Sequence, residues 1–327
     1  MIKILIIKLG ALGDVIRTTP ILESIKEKYK DSEIYWLTKK ESKEILENNS
    51  HINKILTLPY NENNIFDILY NFDIDEEATK LALNIKANKK YGFYYNDGYP
   101  STFNLSAEYY LNTLFDDELK KNNKKTYQEM IFEVAELPYK KQLTMIYLNE
   151  NDKKYAQDFI GKNNIKNRNL IGIHIGASSR WPSKSWHESK IKEFIKKLIE
   201  KNYNIILFAG LNEKDKQEKI IRELNNEGIN ICYNDPSNSM KQFASLVGLC
   251  KIVVCSDSFA LHVSLALKIK TIVLFFCSSP DEIEGYGKLK KVVSPLLYNF
   301  FPERMNEYDE ELVNSISVEE VLNAIKI

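Results

Sequence analysis

Short apolar runs alternate with amphipathic segments along the chain. Ile2–Ile7 is a continuous apolar run that ends at a glycine-containing turn, which is typical of a strand buried on both faces of a parallel sheet. Residues 15–29 carry Ile21, Leu22 and Ile25 on one helical face, so a helix is predicted there. Further strands are predicted at 33–37, 52–58 and 66–72, with a short helix at 40–47. This order predicts a doubly wound α/β domain.

The same alternation restarts after a polar, linker-like segment at 163–169. Strands are predicted at 170–175, 204–209, 229–232, 252–255 and 271–276, with helices at 190–201, 214–225, 240–248 and 260–267. A last helix should begin at Ser317, whose spacing to Glu320 fits a capping box. We therefore expect two Rossmann-like domains, at 1–160 and 161–327, facing across a cleft lined by the loops after their strands.

The tyrosine-rich middle of the chain, at 91–139, lacks a clear period and is predicted to form loops and helices. Its aromatic side chains either line an acceptor site or pack beneath long loops.

Composition narrows the class of protein. The chain has 45 basic and 45 acidic residues, and this zero net charge argues against a dedicated nucleic-acid partner. The opening apolar run is too short for a signal peptide, and no uncharged run approaches the roughly 18–20 residues that span a bilayer. A cytoplasmic protein is expected, and peripheral contact with a membrane surface is compatible with this. The four cysteines favour buried thiols over a metal site.

A first candidate site lies where the opening strand turns into a helix. Lys8, Gly13 and Asp14 are placed there, and glycines allow a ligand to approach the backbone closely. The helix N-terminus offers N–H groups to an anion. Asp14 would otherwise act as a helix N-cap, which this motif alone favours. The glycines do not complete the dinucleotide fingerprint.

Two further candidate sites follow strands of the second half. The first of them combines small residues with cations, a set that suits a diphosphate: Gly176, Ser178, Ser179, Arg180 and Lys184. The other opens a helix with Asp257, Ser258 and His262. Glu213 follows a strand end, where a carboxylate can accept hydrogen bonds from ribose hydroxyls. The alternative for the cations after the first of these strands is an ordinary loop in which they are solvated. The alternative for His262 is a histidine that only packs in the core.

Together these motifs resemble glycosyltransferase family 9, the ADP-heptose:lipopolysaccharide heptosyltransferases. The resemblance rests on the motifs at 7–20, 184–186, 208–213, 256–262, 276–280 and 316–321, in this order. It implies the GT-B fold and metal-independent, inverting transfer from ADP-heptose to a hydroxyl of a lipopolysaccharide core or related glycan. No cofactor is implied beyond the donor itself.

The resemblance also implies roles for individual residues. Asp14 would be the general base, Lys184 would contact the donor phosphates, and Glu213 would contact the ribose. The stretch from Asp257 to His262 would cradle the diphosphate and the sugar.

Two positions depart from the family pattern, which usually has glycine at Phe259 and Cys277. The change at Phe259 leaves open a transferase with another nucleotide-diphosphate sugar. A protein acceptor and a non-catalytic sugar-binding relative are also left open, whereas a nicotinamide oxidoreductase is disfavoured by the missing glycine fingerprint.

Overall fold

The computed structural model describes residues 1–165 and 169–325. The chain forms two compact units: Met1–Tyr147 with Asp281–Glu284, and Leu148–Pro280 with Gly285–Ile327. The middle of the predicted linker, at 166–168, lies outside the described residues. Within the described ranges, no helix is long and apolar enough to cross a bilayer.

The first unit is built on a six-stranded sheet with the order β3-β2-β1-β4-β5-β6. Its strands are β1 Ile2–Ile7, β2 Ser32–Thr38, β3 Lys54–Thr57, β4 Ile65–Asn71, β5 Lys86–Asn96 and β6 Tyr99–Thr102. Its helices are α1 Leu12–Thr18, α2 Ile21–Lys28, α3 Lys43–Leu46, α4 Glu76–Asn84, α5 Glu108–Thr113, α6 Asp117–Asn122 and α7 Tyr127–Val134. All neighbouring strands are parallel except β5 and β6. In the central strand β1, the residues from Ile4 to Ile7 are fully buried, which explains why both faces of this strand are apolar.

The single helix predicted at 15–29 is wrong, because the chain forms α1 and α2 there. Pro20 has no N–H group with which to continue the helical hydrogen bonds. The carbonyl of Ile16 instead accepts bonds from the backbone N–H and the hydroxyl of Thr19, at 3.0 and 2.7 Å. This break sets the length of α1, which carries Asp14 in its first turn.

The prediction of only loops and helices in the middle of the chain is also wrong. Much of β5 and all of β6 lie within 91–139, and they form an antiparallel hairpin. Asp97 and Gly98 connect the two strands with φ values of 45° and 98°. Asp-Gly is a strong sequence signal for such a two-residue turn, and it was available in the sequence.

The second unit repeats the same architecture with the order β12-β11-β10-β7-β8-β9, all parallel. Its strands are β7 Leu170–His174, β8 Asn204–Phe208, β9 Cys232–Tyr233, β10 Ile252–Ser256, β11 Lys270–Phe275 and β12 Leu289–Val293. Its helices are α8 Glu150–Lys162, α9 Glu188–Glu200, α10 Lys214–Asn226, α11 Met240–Val247, α12 Phe259–Ala266, α13 Leu297–Phe300, α14 Glu310–Asn314 and α15 Val318–Ile325. The predicted capping box is confirmed, since Ser317 and Glu320 exchange both of its hydrogen bonds.

Each sheet has one point where the strand order reverses. In the first unit it lies between β1 and β4, and in the second between β7 and β10. Open α/β sheets bind ligands outside the carboxyl ends of the strands at such a switch point. The candidate residues of both units follow these four strands or the strand next to them. The predicted fold class, with two Rossmann-like sheets, is therefore confirmed.

Candidate functional site

A buried ion pair occupies the switch point of the first unit. The Lys8 ammonium lies 2.5 Å from the Asp73 carboxylate and donates to the Phe72 carbonyl at 3.0 Å. Asp73 also accepts hydrogen bonds from the backbone N–H groups of Leu9 and Gly10. The carboxylate thus fixes the turn that leads from β1 towards α1.

Gly10 lies between two carboxylates. A Cβ added to it would lie 3.1 Å from an Asp73 oxygen and 3.3 Å from an Asp14 oxygen. Both carboxyl groups therefore border the same turn, and a side chain at this position would crowd them.

Asp14 does not cap its helix. The N-cap of α1 is Ala11, with no side-chain capping bond, and Asp14 belongs to the first helical turn. Its carboxylate forms an ion pair with Arg17 at 2.8 Å, and the Asp14 side chain is 32% exposed. The capping alternative for Asp14 is therefore wrong. Gly13, the neighbouring candidate, lies in the same helical turn.

The pKa shifts in this unit follow from burial and from neighbouring charge. Burial lowers the pKa of Lys8, but Asp73 and, by smaller amounts, Tyr127, Asp14 and Tyr110 together raise it well above the ordinary value. Burial raises the pKa of the Tyr127 phenol, which stays neutral. Lys8 is therefore a charged group inside the unit, and its main partner is Asp73.

In the second unit, Lys184 and Asp257 come together although they belong to separate sequence motifs. Their charged atoms are 2.7 Å apart, and the side chains are only 9% and 16% exposed. The ammonium also lies 4.6 Å from the centre of the Trp181 ring. The imidazole of His262 is 4.0 Å from the other oxygen of Asp257. Three predicted residues thus share one location.

Cys277 is close enough to this pair to feel both charges, and it is fully buried. Burial raises the pKa of its thiol to about 11, with Lys184 lowering and Asp257 raising it by smaller amounts. The side chain that replaces a family glycine is therefore a neutral packing group. All four cysteines are free thiols, and the other two buried ones are Cys250 and Cys255.

Glu213 lies directly over Gly176. A Cβ on Gly176 would come within 2.6 Å of the carboxyl carbon of Glu213, so any side chain there would force this carboxylate to move. The Gly210 N–H donates to the same carboxylate at 3.1 Å. Lys216 donates to the Ile175 carbonyl at 3.2 Å, and burial lowers the pKa of its ammonium.

His174 and Ser258 join the ends of β7 and β10. The Ser258 hydroxyl lies 3.4 Å from Nδ1 of His174. Burial lowers the pKa of this histidine to about 4, so it is neutral at pH 7. The rings of Phe243 and Phe259 pack 5.6 Å apart, with Phe259 half-buried at the start of α12.

Some predicted residues lie on the surface instead. Ser178, Ser179 and Arg180 are exposed in the loop after β7. Arg180 is 5.3 Å from the centre of the Trp181 ring, and its backbone N–H donates to the Ser178 hydroxyl at 3.3 Å. These three residues do not share the buried position of Lys184.

Asp73, Arg17 and Tyr127 are components of the first site that the sequence interpretation missed. Asp73 offered a usable signal, because it is a carboxylate just after the end of β4. Tyr127 offered none, since its neighbours at the site come from the distant α1. Among the described residues, no group of three or more His, Cys, Asp or Glu side chains could hold a metal ion.

Comparison with known proteins adds independent findings. The family model of glycosyltransferase family 9 (heptosyltransferase) matches residues 62–311, a range that includes Lys184 and Asp257 but not Asp14. Lipopolysaccharide heptosyltransferase 1 of Campylobacter coli is 25% identical over 84% of this chain and 83% of its own. Lipopolysaccharide heptosyltransferase 2 of Salmonella typhimurium is 31% identical, but the match spans only 38% of this chain and 39% of that protein.

A solved structure shows the same fold. ADP-heptose lps heptosyltransferase II of E. coli superimposes with a TM-score of 0.71 at 18% identity, covering 99% of this chain and 97% of that one.

Proposed function

This chain belongs to glycosyltransferase family 9, and we propose that it transfers a heptose from ADP-heptose to a hydroxyl of a lipopolysaccharide core or related surface glycan. The observation that carries the proposal is the meeting of Lys184, Asp257 and His262 beside the switch point of the second unit. The names of its relatives in Campylobacter coli and Salmonella typhimurium support the same donor sugar and acceptor class.

The second unit would bind the donor. An ammonium has three N–H groups, so Lys184 can hold Asp257 and still donate to a diphosphate oxygen. The start of α12, at Ser258, adds backbone N–H groups at the same edge of the sheet. These groups would stabilise the negative charge that develops on the leaving diphosphate, and the proposed mechanism needs no metal for this task.

Glu213 would select the nucleoside. Its carboxylate follows β8 and is held by the Gly210 N–H, which leaves acceptor capacity for ribose hydroxyls. Gly176 keeps the space beneath the carboxylate clear. Gly176, Ser178, Ser179 and Arg180 belong to the loop after β7, which would close over the diphosphate end of the donor.

Asp14 would act as the general base. Its carboxylate is partly exposed at the end of the first unit's sheet, where an acceptor hydroxyl can reach it. Lys8 would act indirectly, since it is buried and paired with Asp73. The nearby Gly13 adds no side chain to the first turn of α1 beside Asp14.

The transfer would be a single displacement at the anomeric carbon. The acceptor oxygen forms a bond to the anomeric carbon while the bond from that carbon to the diphosphate oxygen breaks. The hydroxyl proton passes to the Asp14 carboxylate, and ADP leaves with the bonding electron pair. Attack from the face opposite the leaving group inverts the anomeric configuration.

The proposal is tested in two steps. A thermal-shift panel of ADP, UDP and GDP should show stabilisation by ADP alone, because only a ligand that binds the folded chain raises its melting temperature. Release of ADP from ADP-heptose should then require added heptose-deficient lipopolysaccharide. ADP binding without any ADP release would support the non-catalytic alternative instead.

Phe259 is the observation that favours a second candidate donor. Its half-buried ring stands at the start of α12, where the family usually has glycine. The ring would contact the diphosphate or the sugar and so favour another nucleotide-diphosphate sugar. Stabilisation by UDP or GDP instead of ADP would support this candidate, and a protein acceptor would show as transfer to a polypeptide.

A nucleotide-sugar donor and a glycolipid acceptor also support a cytoplasmic location with peripheral contact at the inner membrane. Co-sedimentation of the chain with vesicles that contain heptose-deficient lipopolysaccharide tests this contact. Vesicles without the glycolipid are the control.

A further inference from the structure

Asp14 and three further side chains form a closed ring of contacts. The Asp14 carboxylate pairs with Arg17 at 2.8 Å, and the Arg17 guanidinium lies 3.7 Å from the centre of the Tyr127 ring. The Tyr127 hydroxyl lies 2.8 Å from the Thr18 hydroxyl, which donates to the Asp14 backbone carbonyl at 2.7 Å. The ring links α1 to α7 and returns to the residue from which it started.

From this ring we propose that Arg17 is a positioning residue that keeps the Asp14 carboxylate charged and aimed, acting through Asp14 and not on the substrate. The inference rests on the proposed role of Asp14 as the base. Tyr127 and Thr18 hold Arg17 and α1 in register, so that the carboxylate keeps one orientation between turnovers.

Charged and titratable groups from several elements face Asp14, and Arg17 is a counter-ion in contact with it. The groups concerned are Arg17 on the same helix, Lys8 after β1, Asp73 across Gly10, Tyr110 on α5 and Tyr127 on α7. The Lys8 ammonium is 2.5 Å from Asp73, so most of its charge is compensated there. The Arg17 guanidinium contacts the Asp14 carboxylate directly.

Arg17 is itself held firmly. Its side chain is 17% exposed, and its buried Nε has no hydrogen-bond partner. Burial alone would lower the pKa of Arg17, but the carboxylates of Asp14 and Glu282 raise it, so the guanidinium stays charged. Its position therefore depends on the ion pair and on stacking over Tyr127. Lysine can replace the charge but not the flat stacking surface.

The deciding experiment is the pH profile of kcat/KM for ADP release from ADP-heptose in the presence of heptose-deficient lipopolysaccharide. An opposite charge at this distance lowers a carboxyl pKa by about 1–3 units, so Arg17→Gln should move the acid limb upward by at least about 1 pH unit. Arg17→Lys should leave the limb near that of the wild type, with kcat lowered about tenfold by the lost orientation. An unmoved limb in Arg17→Gln overturns the proposal.

A role in binding the acceptor would give a different result. Arg17→Gln would then raise KM for the lipopolysaccharide and leave both kcat and the acid limb unchanged, which also overturns the proposal. A merely structural role would lower the melting temperature without moving the limb.

Tyr127→Phe tests the ring if Arg17→Gln fails to fold. It keeps the stacking surface and removes the hydroxyl that contacts Thr18. We expect kcat to fall severalfold with KM and the acid limb unchanged, and wild-type kcat would overturn the proposal.

A readout independent of turnover separates this inference from the proposed function. In protein labelled with ¹³C at aspartate carboxyl carbons, the Asp14 signal is assigned by its absence in Asp14→Asn. Its titration midpoint should be higher in Arg17→Gln than in the wild type. A wild type without transferase activity would contradict the proposed function, whereas an unmoved midpoint would contradict the inference.

Discussion

The ammonium of Lys184 lies 2.7 Å from the carboxylate of Asp257, and both side chains are mostly buried. One residue precedes α9 and the other follows β10, so the pair exists only because β7 and β10 are neighbours in the sheet. Each partner compensates the buried charge of the other. The proposed phosphate contact is therefore also part of the folded framework.

Replacing Lys184 with methionine should weaken ADP binding and also destabilise the second unit. Removing one partner of a buried ion pair costs up to about 3–5 kcal/mol, because the remaining charge is left uncompensated. Combining it with Asp257→Asn should recover stability but not ADP affinity. Denaturant melts and ADP titrations measure both quantities, with Lys201→Met, at an exposed site, as the control. Normal ADP affinity in Lys184→Met would move the phosphate site elsewhere.

Replacing Asp14 with asparagine should lower kcat for ADP release by at least about a hundredfold, since proton transfer to a base typically contributes about 10²–10⁴-fold. ADP affinity should stay near that of the wild type, whereas the melting temperature should fall because the mostly buried Arg17 loses its charged partner. Asp67→Asn, on β4, is a matched control. Near-normal turnover in Asp14→Asn would remove this residue from the role of base.

Replacing Asp73 with asparagine should destabilise the first unit. The change leaves the buried Lys8 ammonium without its counter-ion, at a cost of about 3–5 kcal/mol in the free energy of unfolding. The exposed pair of Lys54 and Glu62 is the control, and Lys54→Met there should cost less than about 1 kcal/mol. Equal losses at the two pairs, measured by urea denaturation, would contradict this account of burial.

Replacing Gly176 with alanine should weaken ADP binding, because the new Cβ would lie 2.6 Å from the Glu213 carboxyl carbon and displace that side chain. Gly161→Ala is the control, since no atom lies within 4 Å of its added Cβ. That residue is in α8, where alanine should stabilise the helix by up to about 1 kcal/mol. ADP affinity by calorimetry should fall for the first variant only, and equal affinities would contradict the proposed role of Glu213.

His174 should make the chain less stable in mild acid. Its pKa is lowered from 6.5 to about 4 by burial, so between these values the unfolded chain binds a proton that the folded chain does not. Above pH 6.5 this histidine does not reduce the free energy of unfolding. As the pH falls from 6.5 towards 4, the free energy of unfolding decreases by at most about 3 kcal/mol because of it. His174→Gln should show a smaller loss of stability between pH 7 and 4 than the control His51→Gln. Parallel losses would show that His174 titrates normally in the folded chain.

Local patterns were sufficient to predict most of the elements. The apolar run of β1 and the capping box at Ser317 and Glu320 reflect the burial and hydrogen bonding of residues close in sequence. The single helix predicted at 15–29 was wrong because its amphipathic pattern continues past Pro20, although this residue has no N–H group with which to continue the helical hydrogen bonds. The hairpin after β5 was missed although its Asp97-Gly98 turn was visible in the sequence.

The candidate residues followed from their places after predicted strands, and this alone put Asp14, Glu213 and Asp257 at strand ends. The partner that each candidate residue contacts depends on the strand order, since neighbouring parallel strands bring their carboxyl ends together. Lys8 met Asp73 through the pairing of β1 with β4. Arg17 met Tyr127 through the packing of α1 on α7. Hydrophobic period is a property of a few consecutive residues, whereas these contacts join distant segments and depend on the tertiary structure.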